Sequence, residues 1–347
     1  MVTIRDVAKE SGVSVTTVSV ILNRAPQARH IPAATKNRVK EVVKRLGYHR
    51  NLLAGSLRSK RSRTFGVLVF DITDPYCTQI LKGVENSLYR HGYVPILADA
   101  QNDQRRFNHA VETLLERRVD GLIAVAVANL LFLGADPLKA FAERGIPTVT
   151  VGRQLAPPAS SVATDNEAGA RCALEHLYTL GHREIAFIKG PKALVDTEQR
   201  WSGICMFATG VGLELDPELI VQIKGRNSSY AEGDELTHEL LTRRRHFTAL
   251  MAFDDITAFG AISALSSAGV RVPQDCSVLG FDDIPAAAFY NPPLTTVKQG
   301  LVLQGSLSVE ILVGLVRSAA KNKVDSIHRT VPPKLVPRKT TAPPGHL

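Results

Sequence analysis

Cysteine is scarce and scattered: Cys77, Cys172, Cys205 and Cys276 lie far apart, with no CxxC pair and no neighbouring histidine set. That spacing excludes a zinc ribbon and offers no disulfide framework, so reduced and mostly buried thiols are expected. Long apolar runs are missing too. No run reaches the ~18 residues of a membrane span, and charges at Arg5, Asp6, Lys9 and Glu10 exclude a secretory signal core. A cytoplasmic protein is expected. There is no GxGxxG, no GxxxxGK[ST], no GxSxG and no clustered His/Asp/Ser set, which speaks against an enzyme with an α/β core; no metal and no cofactor are expected. Acidic residues nearly vanish from the first 63 positions, which hold 3 Asp+Glu against 14 Lys+Arg, a net +11. Residues 64–347 hold 30 against 28, a net −2. A basic module on a near-neutral body fits phosphate binding by counterion release.

What is present begins with residues 3–23, TIRDVAKESGVSVTTVSVILN, which read as two short helices meeting at a turn. Thr3 can cap the first helix with Asp6 three residues on, and Ile4, Val7 and Ala8 share one face. Gly12 marks the turn and Ser14 caps the second helix. There Val18, Ile21 and Leu22 point inward, while Val15, Thr16, Ser19 and Val20 point outward. That outward face carries no charge. Small apolar groups suit thymine methyls and hydroxyls suit phosphates or base edges, so the face fits a DNA major groove. On periodicity alone, any small helical hairpin of a globular domain reads equally well.

The exact words narrow the choice. Asp6-Val7-Ala8, Gly12-Val13-Ser14, Thr17-Val18-Ser19 and Leu22-Asn23 resemble the N-terminal helix-turn-helix of the lac repressor (LacI) family. The resemblance implies that Val15, Thr16 and Val20 read bases, that Thr17, Ser19 and Asn23 hold the DNA backbone, and that Thr3 and Ser14 belong to the same DNA-binding set. Many relatives carry Arg where Val20 stands, so no bidentate guanine contact is possible there. Residues 24–31 form a polar loop, Pro32 opens a third helix striped with Val39, Val42, Val43 and Leu46, and Gly47 stops it. Residues 48–63 match the family's hinge at Asn51, Ala54, Ser56 and Leu57. This implies a helix formed in the minor groove with Leu57 as the wedge. Gly55 replaces a common Arg and costs about 1 kcal/mol in a helix interior, so this hinge should lean more on DNA for its helicity.

From residue 64 the texture is strand and helix in alternation. Strands are predicted at 65–70, 93–98, 120–127, 146–151, 184–190, 218–223, 248–252 and 276–281, and helices at 75–91, 103–118, 166–180, 229–245 and 255–268. Apolar strands bounded by helices predict parallel sheets covered on both faces. Residues 152–163 read as a loop that splits the body, and residues 292–303 and 326–336 as crossings or edge strands. The resemblance continues through Gly121 after Val119-Asp120, Ile146-Pro147, Gly181-His182-Arg183, Arg200, Asp254-Asp255, Gly280-Phe281-Asp282-Asp283 and Pro293-Leu294-Thr295-Thr296-Val297. It implies an all-α helix-turn-helix domain (1–47), a hinge segment (48–63) and a periplasmic-binding-protein-like α/β body (64–341) of two doubly wound parallel-sheet lobes. The first lobe is expected at about 64–162 and 293–325, the second at about 163–292 and 326–341, and a disordered tail at 342–347.

In open α/β sheets, ligands sit beyond the carboxyl ends of the strands. That rule selects residues 71–76, including Asp74 and Tyr76, then Arg153, Asp254, Asp255 and Asp282; Arg200 joins by resemblance. Paired carboxylates and guanidinium groups suit the vicinal hydroxyls of a sugar. Duller roles compete: Asp255 as a helix cap, Asp71 and Asp74 as turn residues, Asp283 as a loop residue, and residues 243–245 as cations opposing a helix dipole. The implied protein is a regulator, a repressor that binds a pseudo-palindromic double-stranded DNA operator as a homodimer under a small effector. The effector is expected to be a sugar, with a purine as the alternative; a nonspecific nucleoid-type binder would leave the body unexplained.

Overall fold

The computed structural model describes residues 2–23, 25–48, 61–125, 138–152, 159–243, 245–318 and 326–345. The expectations placed on Asn51, Ala54, Gly55, Ser56, Leu57 and Arg153 lie outside them. The chain forms two compact units, residues 1–62 and 63–347.

In the first unit, α1 (Ile4–Ser11), α2 (Val15–Leu22) and α3 (Ala33–Leu46) enclose Val7, Ala8, Val18, Ile21, Val39 and Val42. The capping box predicted at Thr3 is present: Asp6 Oδ2 accepts from the Thr3 backbone N–H at 2.8 Å, and the Asp6 N–H turns back to Thr3 Oγ1. Gly12, at φ 62°, closes α1 in the left-handed region that side chains avoid. The loop expected at 24–31 contains a 3-10 turn over Pro26–His30, and Pro32 caps α3 instead of opening it.

The second unit holds two six-stranded sheets. The first contains β1 (Thr64–Val69), β2 (Val94–Asp99), β3 (Gly121–Val125), β4 (Thr148–Val151), β5 (Ser160–Thr164) and β11 (His328–Val331), in the order β11-β5-β4-β3-β1-β2, all parallel. The second contains β6 (Ile185–Lys189), β7 (Ile220–Gln222), β8 (Ala249–Ala252), β9 (Ser277–Asp282), β10 (Thr295–Lys298) and β12 (Lys334–Val336), in the order β12-β10-β9-β8-β6-β7. Only β12 runs antiparallel to its neighbour. Each sheet is covered on both faces, by α4 (Pro75–His91), α5 (Gln104–Glu116), α6 (Lys139–Glu143) and α12 (Leu301–Ser318) in the first lobe and by α7 (Asn166–Thr179), α8 (Val195–Val211), α9 (Tyr230–Thr242), α10 (Asp255–Ser267) and α11 (Pro285–Phe289) in the second. Strands such as β3 and β8 are therefore buried along their whole length.

Three expectations change. Residues 160–164, read as part of a loop, are a strand between β4 and β11; the serines of Ser160-Ser161 hid it, because their polarity is satisfied by hydrogen bonds to Ile327 and His328. The returns also differ from the predicted boundaries. Residues 295–298 pair with β9 in the second sheet and residues 328–331 pair with β5 in the first, so the chain crosses three times, after Thr164, Gln299 and Val331. Thr164 Oγ1 donates to the carbonyls of Gln299 and Val331, at 3.1 and 3.4 Å, which ties the crossings together. Finally, the tail expected to be disordered from 342 is anchored at its start: Ala342 accepts from His182 and donates to Ser277 Oγ at 3.0 Å.

Helix α12 alone among the described helices is long and apolar enough to cross a bilayer. Half of it is buried, with Val309, Leu312 and Val316 in the core of the first lobe, which marks a core helix. It approaches α4 closely because Gly83 and Gly305 face each other's backbones: an added Cβ would lie 2.0 Å from the Val302 carbonyl and 2.1 Å from that of Ile80.

Candidate functional site

The outward face of α2 is the first candidate. Val15 and Thr16 are exposed, and Ser19 and Val20 half-exposed. Ser14 Oγ receives the Thr17 N–H at 3.1 Å and bonds the Thr17 hydroxyl at 2.9 Å, and Asn23 Nδ2 donates to Ser19 Oγ at 3.0 Å. The polar groups along this face are thus held in fixed rotamers, and among them Val15, Thr16 and Val20 carry no side-chain bond of their own. Thr3 is spent on its capping box.

The second candidate is the crevice between the two lobes, open to solvent. It lies outside the carboxyl ends of β1, β6, β8 and β9, where the strand order of each sheet reverses. Asp74, Tyr76, Arg200, Asp254 and Asp282 all line it. Asp71 stays outside, bonding the Thr73 N–H and hydroxyl in a turn. Residues that the sequence reading passed over also line it: Phe70, Gly152, Asp196, Asn227, Ser228 and Phe253. Phe70 and Phe253 directly follow β1 and β8, so the strand-end rule applied to aromatics would have found them. Asn227 and Ser228 sit in a loop that carries no signal.

Arg200 is buried on α8 and anchored on several sides. Its Nε donates to Asn166 Oδ1 at 3.0 Å, its Nη1 to the Phe253 carbonyl, and its Nη2 lies 3.8 Å from Asp282 Oδ1. Its guanidinium stacks on Phe281 at 3.7 Å and on Phe253 at 4.4 Å. Asp282 accepts from Gln299 Nε2. Its backbone φ of 124° is one that glycine tolerates and side chains resist, a strain of ~1–3 kcal/mol at the ligand end of β9. Burial pushes the Asp282 carboxyl well above its usual range, while Arg200 pulls the other way. Burial also raises Tyr76. Asp74 rises to about 7, by burial first and then by the charges of Asp254 and Asp71, against the pull of the Tyr76 N–H.

Capping of α10 falls to Asp254, whose Oδ1 accepts the Thr257 N–H at 2.8 Å while Oδ2 takes the Ser228 hydroxyl. Asp255, weighed as a cap, is a buried tie that accepts from Thr296 Oγ1 and from the Ile284 N–H at 2.9 Å. Burial lifts it to about 8 despite those bonds. The folded value lies above the unfolded one, so the proton it holds stabilises the body at acid pH, and that contribution is lost as pH rises from about 4 to about 8. Asp255→Asn mimics the protonated acid, donating to Thr296 and accepting from Ile284. It is expected to match the wild type at about pH 4 and to remove a slope of up to about 1.4 kcal/mol per pH unit above that, read from urea denaturation of both proteins across the range.

His182 is structural, bonded to Thr248 Oγ1 at 2.8 Å and to Ser277 and Ala342, and Asp283 pairs with Arg338 and Lys298. Among the described residues no group of His, Cys, Asp and Glu could hold a metal ion.

Comparison with known proteins agrees with this layout. The profile of bacterial regulatory proteins of the lacI family matches residues 3–51, and that of a periplasmic binding protein-like domain matches residues 174–341. The transcriptional repressor PurR of Haemophilus influenzae is 33% identical over 342 residues, 98% of each chain. The ribose operon repressor of Halalkalibacterium halodurans is 31% identical over 341 residues, 98% of this chain and 97% of its own. A lac repressor dimer bound to operator and the anti-inducer ONPF superposes with a TM-score of 0.83 at 29% identity, over 98% of this chain and 99% of that one. The regulator CelR with cellobiose gives 0.71 at 29% identity, over 98% and 100%.

Proposed function

Because the chain belongs to the lacI family of bacterial regulatory proteins, and is therefore a DNA-binding transcriptional repressor and not an enzyme, we propose that a small polyhydroxylated effector in the crevice controls its hold on an operator. The observation that carries this reading is the convergence of Asp74 and Tyr76 from one lobe with Arg200, Asp254 and Asp282 from the other on one crevice. Carboxylates accept from vicinal hydroxyls, and closing the lobes on such a ligand gives it different affinities for the open and closed states, which is what control of a distant site requires. Arg153 directly follows crevice-lining Gly152 and belongs to the same proposed set.

The head reads DNA with Val15, Thr16 and Val20. Ser14, Thr17, Ser19 and Asn23 fix the register on phosphates, and Asn51, Ala54 and Leu57 supply the hinge contacts. The protein works as a cytoplasmic homodimer on a pseudo-palindromic operator, which two-fold symmetry favours. Support comes from aromatics at the surface of the body: Phe289 is 89% exposed, Tyr89 81% and Tyr230 54%.

A purine base is the second reading. Phe70, Tyr76 and Phe253 give the crevice aromatic faces on which a base stacks, and two of them were not in the sequence argument for a sugar. Calorimetry on the full-length protein with neutral sugars and with purine bases separates the two, and footprinting on randomised DNA with and without the bound compound tests the control. Operator protection indifferent to every compound that binds the crevice would sink the proposal. Because the net +11 sits in residues 1–63, log affinity should fall with log salt with a slope of several units.

A further inference from the structure

The outward face of α2 is short of the groups that read bases by paired hydrogen bonds. Bidentate recognition of a purine edge takes Arg, Lys, Asn or Gln. Between Ser14 and Asn23 the only such residue is Asn23, which closes the helix and gives its Nδ2 to Ser19 Oγ. No Asp or Glu stands there to accept from cytosine, and the Ser14 and Thr17 hydroxyls are bonded to each other at 2.9 Å. What the face does offer is two pairs four residues apart, Val15 with Ser19 and Thr16 with Val20, side by side on one strip opposite the buried Val18 and Ile21. Val15 is 41% exposed at the first position of the helix, Thr16 is exposed and Val20 half-exposed. Residues 1–63 carry a net +11, so the partner of this strip is anionic, yet the strip itself presents branched methyl groups. In B-DNA the apolar groups within an anionic surface are the C5-methyls of thymine, which stand in the major groove.

We propose that α2 selects its operator by thymine methyl groups, which Val15 and Val20 cover, and not by bidentate bonds to guanine or adenine. The inference rests on the base-reading role given to α2 above and adds the chemical group that is read. The N-terminal turn of a recognition helix meets the base edges first, which places Val15 there, and Val20 lies more than a turn further on, so the two valines reach different base pairs. Thr16 carries both a hydroxyl and a methyl, and a threonine accommodates any base pair. The selection is then for a methyl group at a given place in the groove and not for thymine as such. Deoxyuridine keeps the hydrogen-bonding edge of thymine and lacks the methyl, whereas 5-methylcytosine carries a methyl at the same ring position. Covering a methyl is an apolar gain, separate from the counterion release that phosphate contacts bring, so the discrimination does not depend on salt.

The test starts with the full-length protein selecting an operator from randomised duplexes. Each thymine shared by the selected half-sites is then replaced by deoxyuridine, and affinity is read by fluorescence anisotropy. At least one replacement is expected to weaken binding about fourfold, and about fifteenfold when the equivalent thymines of both half-sites are replaced together. The ratio is expected to be the same at low and high salt, although the affinities themselves fall. At that position 5-methylcytosine is expected to bind better than cytosine by a similar factor. Val15→Ala with Val20→Ala is expected to bind the thymine and uracil duplexes alike. Neither valine belongs to the core of the head and alanine is the better helix former, so the double variant keeps the fold. The ratio is taken within one protein, so a general loss of affinity does not imitate the effect, and the wild-type series decides the point even where the variant binds too weakly to be read. Selected half-sites without thymine, unchanged affinity on every uracil duplex, or a thymine preference that survives the double variant overturns the inference and leaves α2 as the base-reading helix. If no shared sequence is selected, both readings fall.

Discussion

Arg200→Ala is expected to remove effector control while leaving operator binding by the head intact. The guanidinium organises the crevice from behind: it fixes Asn166 at the start of α7, the Phe253 carbonyl at the end of β8, and Asp282 at the end of β9. Alanine leaves the Asn166 oxygen and the Phe253 carbonyl without donors and Asp282 without its cation. Breaking a buried charge pair from one side costs ~3–5 kcal/mol. Asp282, already pushed up by burial, answers by taking a proton, which limits the loss to about 2–4 kcal/mol. A body with a typical stability of ~5–15 kcal/mol then stays folded but melts several degrees lower. Effector affinity should fall about a hundredfold or more, since the Phe253 carbonyl and Asp282 lose their positions at once. Arg200→Lys should rescue little, because one ammonium cannot reach partners on three elements in a planar fork. Thermal melting and effector titrations against a fluorescent operator read both effects, and wild-type control in the alanine variant would refute the role.

Gly305→Val is expected to do more damage to stability than any single change in the crevice. A Cβ at position 305 would lie 2.1 Å from the Ile80 carbonyl, and one at position 83 lies 2.0 Å from that of Val302, so neither helix has a flexible side chain that can give way. The helices α4 and α12 would have to part by more than an ångström along a contact that closes the core around Ile80, Val84, Val309 and Leu312. Overpacking costs ~1–3 kcal/mol and more where backbone must move, and about 3 kcal/mol or more is expected here. Because α4 opens with Asp74 and Tyr76, the displacement also reaches the crevice. Gly314 supplies the control on the same helix: nothing lies within 4 Å of an added Cβ there, and Gly314→Ala should be neutral or stabilising by about 0.5–1 kcal/mol. Urea denaturation of the three proteins decides the point, and equal stability of Gly305→Val and Gly314→Ala would show that the close helix approach carries no weight.

Several features are local enough for the amino-acid order to determine alone. The Thr3–Asp6 capping box, the turn at Gly12 and the Ser14 cap involve residues within three or four positions of each other, and hydrogen bonds at such short range need no tertiary context. The buried strands β1, β3, β4, β6, β8 and β9 were legible for a related reason, since a strand covered on both faces is apolar along most of its length. The strand-end rule reached Asp74, Tyr76, Asp254 and Asp282 before any coordinates, because parallel sheets put their carboxyl ends on one side.

What only the tertiary structure decided depends on partners far away in the chain. The polar strand at 160–164 became a strand because Ile327 and His328 bond its serines, from more than 160 positions downstream. The boundaries between the lobes followed from which sheet had an open edge for residues 295–298 and 328–331, a choice their own side chains do not encode. Neighbours Asp254 and Asp255 are alike on paper, yet one caps a helix at the crevice and the other is sealed beneath Thr296 and Ile284. Both are buried, and what separates them is which way each faces, a property of the packed body.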